Sequence, residues 1–92
     1  MKLPRPKTDG RLGLERSIRE RRTVRRFGSR SLSKEHVGQI LWAAQGVTGA
    51  MGMKRAAPSA GALYPLDVYV VAGGVQGLDA GVHRYKPKDH KL

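Results

Sequence analysis

The sequence predicts an α+β fold in which two helices precede the first strands of a sheet. Three observations predict it. Apolar residues recur at helical spacing, thinly at Leu14 and Ile18 and strongly at Val37, Ile40, Leu41 and Ala44. An alternating β-branched run follows at Leu66–Ala72, with a second short one at Val82–Lys86. Twelve glycines and five prolines punctuate the 92 residues and separate these patterns.

Residues 1–12 read as a basic flexible arm, because Pro4 and Pro6 lack amide donors and push their neighbours out of helical geometry. A short helix is expected from about Leu14, ending near Arg22. Thr23, Val24 and Phe27 favour an extended path, and Gly28–Ser31 is a turn. Ser33 is a good N-cap for the second helix, whose residues Val37, Ile40, Leu41 and Ala44 should form one continuous buried face. Gly46 is expected to end it in a left-handed conformation. Gly49–Arg55 reads as a glycine-rich flexible connection, and Pro58–Pro65 as a small-residue segment able to approach a ligand or another backbone closely. In the strand at Leu66–Ala72, Leu66, Val68 and Val70 share one face.

Composition bounds the function. With no cysteine there is no disulfide, thiolate metal site or cysteine nucleophile. No apolar run approaches the roughly 18 residues of a membrane helix. The basic N-terminus lacks the apolar core of a signal peptide, which makes the cytoplasm the expected location. His36, His83 and His90 lack a metal-ligand spacing and read as surface residues. The net charge of +11 is unevenly placed: Met1–Arg30 carries +8, Ser31–Val82 is neutral and His83–Leu92 carries +3.

The densest polar feature is Arg19-Glu20-Arg21-Arg22-Thr23-Val24-Arg25-Arg26-Phe27. Clustered guanidinium groups bind phosphate in bidentate fashion, and a threonine hydroxyl adds a neutral donor. If Arg21 ends the helix, Thr23 and Arg25 point one way in the extended run and Val24 and Arg26 the other. The same charge also suits a small nucleic-acid-binding module that uses the Arg19–Arg30 stretch. Only Phe27 supplies a nearby ring, which argues against single-strand stacking. Trp42 and the apolar helix face would equally serve a docking fragment.

Three stretches in order resemble one family. They are Arg21–Phe27, the Ser33-capped helix with Leu41-Trp42-Ala43-Ala44-Gln45-Gly46-Val47, and Ala57-Pro58-Ser59-Ala60-Gly61-Ala62-Leu63-Tyr64-Pro65-Leu66-Asp67-Val68-Tyr69-Val70-Val71. Together with the ending Gly81–Leu92, they are similar to the nitroreductase family of flavoproteins, in particular its SagB-type dehydrogenase branch. The resemblance implies an FMN-dependent oxidoreductase with the nitroreductase α+β fold, acting as a homodimer with flavin at the interface.

The expected mechanism is ping-pong hydride transfer through flavin N5, from NAD(P)H or another reductant to a small-molecule or peptide heterocycle substrate. By the same resemblance, Arg21 holds the FMN phosphate, Arg22 and Thr23 meet the ribityl–phosphate end, and Arg25 approaches the pyrimidine side of the ring. Pro58, Ser59 and Ala60 reach the flavin from the partner subunit, with Ala62 nearby. Ala62 stands where relatives often carry a polar residue, so a backbone contact is expected there. The family domain is longer than this chain, and residues 13–92 are expected to be its N-terminal portion.

Overall fold

The computed structural model describes residues 1–49 and 51–92. Helix α1 spans Leu14–Glu20 and α2 spans Lys34–Gln45. Strands β1 (Val47–Thr48) and β2 (Lys54–Arg55) form one antiparallel pair, and β3 (Tyr69–Ala72) and β4 (Gly81–Arg84) form another. A short 3-10 turn at Ala60–Ala62 lies between the two pairs.

Helix α2 begins where its capping residues dictate. Ser33 Oγ accepts from the His36 backbone N–H at 3.3 Å, and the His36 ring accepts from the Ser33 N–H at 3.4 Å. The two groups satisfy each other's orphan donors at the first turn. The buried face differs from the expected one. Val37 and Leu41 are buried, but their companions are Gly38 and Gln45, while Ala44 is exposed and Ile40 is 61% exposed. The core lies to one side of the predicted stripe because Leu3 and Tyr85 pack on the Val37–Leu41 side. Ile40 and Ala44 instead border an open apolar hollow of about 230 Å³, which they share with Val68, Tyr69 and Val70.

Gly46 ends α2 for a steric reason. Its φ of −62° and ψ of 149° are extended, not left-handed. A Cβ there would collide with the Trp42 ring and the Trp42 carbonyl oxygen, which accepts the Gly46 N–H at 2.7 Å. The glycine-rich connection beyond it is a hairpin, pairing Val47 with Arg55 and Thr48 with Lys54. Gly49 turns with φ 78°, and Ala50 lies outside the described residues.

Strand β3 is shorter than its sequence pattern: Leu66 and Asp67 lie outside it, and Val68 contributes only its carbonyl, which accepts the Tyr85 N–H at 2.8 Å. Its partner β4 pairs Tyr69 with Arg84 through Ala72 with Gly81. The loop between them folds back on the chain ahead of α2: the Gln76 N–H donates to the Leu32 carbonyl at 2.9 Å, and Leu78 is buried.

Residues 1–7, expected as a flexible arm, are extended but strapped down. Leu3 is 5% exposed and joins Val37, Leu41 and Tyr85 in the core. The Leu3 N–H donates to the His90 carbonyl at 3.1 Å, and the Leu92 N–H donates to the Met1 carbonyl at 2.9 Å. Gln39 exchanges two hydrogen bonds with the Lys7 backbone, at 2.7 and 2.9 Å. His90, expected at the surface, sits half-buried beneath this strap. Its Nε2 donates to the Pro4 carbonyl at 2.9 Å, which leaves Nδ1 to accept from the Tyr85 hydroxyl at 2.8 Å.

Candidate functional site

The arginine segment starts at the last turn of α1. Arg21 is the C-cap residue, with extended φ/ψ of −60° and 129°, and its N–H donates to the Ser17 carbonyl at 3.0 Å. Beyond it, residues 22–28 run without a sheet partner, and every side chain from Arg21 to Arg30 is exposed. The nearest acid is already engaged: Glu20 takes Arg16 at 3.1 Å and Arg19 at 4.0 Å. Among the described residues, Arg21, Arg22, Arg25 and Arg26 therefore face no carboxylate. An exposed, unpaired group of guanidinium ions with Thr23 among them is chemically suited to a dianionic phosphate.

The small-residue segment is shaped by its backbone. The Tyr64 N–H donates to Ser59 Oγ at 2.8 Å, and the Ala62 N–H donates to the Ser59 carbonyl at 3.1 Å. These bonds close a tight turn in which Gly61, Ala62 and Tyr64 have φ of 65°, 53° and 46°. Left-handed alanine and tyrosine cost roughly 1–3 kcal/mol each and persist only where the surroundings impose them. Pro58, Ala60 and Ala62 are exposed and Ser59 is half-buried, so the turn presents backbone and small side chains outward. No hydrogen bond or ion pair among the described residues joins this turn to Arg21–Arg25. Each group is brought together internally, and the two are not brought to each other.

A third polar locus escaped the sequence reading. An open cleft of about 320 Å³ lies between β2, the chain from Tyr64 to Val68, and the turn after β4. Gln45, the last residue of α2, lines it while being only 7% exposed. Arg55 lies 5.2 Å from the centre of the Tyr64 ring, and Arg84 pairs with Asp67 at 3.0 Å. Burial pushes the Tyr85 phenol above its ordinary value, an effect partly opposed by the Arg55 charge. The sequence holds no motif for this cleft, because hairpin pairing across long separations assembles it. The one available signal was a glutamine closing an otherwise apolar helix face.

Residues 18–92 match the nitroreductase family. Over 79 residues the chain is 43% identical to a protein of Methanocaldococcus jannaschii provisionally named a nitroreductase, covering 86% of this chain and 39% of that protein. A 41-residue stretch is 42% identical to the trifolitoxin-processing protein of Rhizobium leguminosarum bv. trifolii, covering 44% of this chain and 11% of that relative. The chain thus spans well under half the length of these curated relatives.

Proposed function

The chain belongs to the nitroreductase family, and from that membership we propose that it serves an FMN-dependent oxidoreductase of the SagB-type dehydrogenase branch. Residues 13–92 supply the N-terminal portion of the domain. The single observation that carries the flavin reading is the exposed group Arg21, Arg22, Thr23 and Arg25, which no carboxylate neutralises among the described residues. Arg21, Arg22 and Thr23 hold the phosphate end of FMN. Arg25 lies toward the pyrimidine edge, where reduced flavin gathers negative charge.

Pro58, Ser59, Ala60 and Ala62 act across a homodimer interface, as the family membership suggests. Ala62 is exposed and its N–H is taken by the Ser59 carbonyl, so its own carbonyl offers a contact that needs no polar side chain. When bound, FMN supplies hydride acceptance and release at N5, linking NAD(P)H or another reductant to a small-molecule or peptide heterocycle substrate. The chain's own residues bind, orient and electrostatically tune it. Among the described residues no helix is long and apolar enough to cross a membrane, and a cytoplasmic site of action fits this chemistry. Nothing in the relatives supports the nucleic-acid reading, which rests on charge alone.

The test is a visible spectrum of the purified chain after incubation with FMN and desalting. Retained flavin is expected, and Arg21→Ala should weaken it by about 1.5–3 kcal/mol through loss of a charge-assisted contact, with Arg5→Ala unchanged. Equal losses in the two variants would mean diffuse attraction and overturn the assignment of Arg21.

A further inference from the structure

We infer that the cleft between β2, Tyr64–Val68 and the turn after β4 binds a small multivalent oxyanion, a phosphate or a polycarboxylate. Its volume of about 320 Å³ is at the lower end for small-ligand sites. The charges on its walls do not cancel. Arg84 is spent on Asp67 at 3.0 Å, and Asp89 faces Lys91 at 3.8 Å. That leaves Arg55, Lys86 and Lys88 lining the cleft without a carboxylate partner among the described residues.

Gln45 gives the cleft a polar floor. The residue is only 7% exposed, and its amide, which makes no hydrogen bond to any described residue, still reaches solvent through the cleft. An oxygen entering the cleft would accept from the amide NH₂ in place of water while the three cations neutralise it. Arg55 is held for this purpose over the Tyr64 ring, 5.2 Å from its centre. The Tyr85 hydroxyl takes no part, since it is committed to His90.

This site is separate in sequence from Arg21–Arg25, and its test separates it from the flavin reading. The ¹⁵N-labelled full chain is titrated with inorganic phosphate and, in a second arm, with citrate, in about 150 mM NaCl, where attraction is screened beyond about 8 Å. Saturable shifts are expected at the Gln45 side-chain amide and at the Arg55, Lys86 and Lys88 backbone amides. The arm that saturates at the lower concentration identifies the ligand as phosphate or carboxylate. Gln45→Glu should weaken binding about tenfold or more by placing a like charge on the floor, and the exposed Lys88→Ala about fivefold, with Arg5→Ala unchanged. Shifts confined to Arg21–Arg26, or spread evenly over all basic residues, would overturn the proposal. So would unaltered affinity in both Gln45→Glu and Lys88→Ala. Flavin retention by Arg21→Ala is read independently of either result.

Discussion

Two glycines on α2 and at its end show how much a single missing Cβ decides. At Gly38 an added Cβ would stand 3.4 Å from His90 Nε2 and 3.5 Å from Leu3 Cβ, which is ordinary contact distance. The strap therefore tolerates one methyl there. Gly38→Ala should stabilise the chain by about 0.5–1 kcal/mol, because helical alanine loses less backbone entropy than glycine. At Gly46 the same methyl would strike the Trp42 ring and carbonyl. Gly46→Ala should cost about 1–3 kcal/mol through displacement of Trp42 and loss of the end of the helix. Urea denaturation of both variants checks the opposite signs, and a shared sign would refute the placement of the strap or of Trp42. The glycine at position 46 was legible as a helix stop, but its reason was not. Sequence position suggests the left-handed conformation, whereas only the fold reveals which side chain turns back over the terminus.

The N-terminus of α2 is the best-specified element, and its energetics are separable. Ser33→Ala removes the side-chain acceptor for the His36 N–H and should cost about 1 kcal/mol. One residue into the helix, the Glu35 carboxyl is held below the ordinary carboxylate range, first by its own backbone N–H and then by the Ser33 side chain. A carboxylate with a lowered folded pKa contributes stability above its unfolded pKa and loses it as pH falls through the folded one. The stability gap between the parent and Glu35→Gln should therefore be open at neutral pH and close in acid. A gap that persists unchanged at low pH would mean that Glu35 acts through packing instead.

Helix existence, the Ser33 cap and the two strands that became β3 and β4 were legible because each is written in local spacing, whereas the β1–β2 hairpin reads in the sequence as a flexible connection. The buried face of α2 was not, because Leu3 and Tyr85 approach it from opposite ends of the chain. Residues 1–7 misled for the same reason: two prolines mark an extended segment, but they do not disclose the Lys2–Lys91 pairing that anchors it. The arginine and small-residue stretches were legible as motifs. The cleft floored by Gln45 was not, since no two of its walls are neighbours in sequence.

The whole molecule is more open than its length alone requires. Its radius of gyration is 14.5 Å, against about 12 Å for a compact chain of this length. Its accessible surface is 7803 Å², against roughly 5,300 Å² for a folded monomer of this mass. Much of the excess is apolar: Ile18, Phe27, Ile40, Leu63, Leu66, Val71 and Val82 all stand exposed, Phe27 by 86%. Surface of this kind drives association, while the net charge of +11 opposes it by mutual repulsion. The two forces respond oppositely to salt. Sedimentation of the purified chain should show concentration-dependent association that strengthens as salt is raised, because screening removes the repulsion and leaves the apolar contact. Phosphate or flavin held by the arginines and lysines should weaken over the same range, as charge-assisted contacts do. Association that instead falls with salt would mean that the chains meet through their charged segments, and the exposed apolar faces of α2 and β3 would then need another cover.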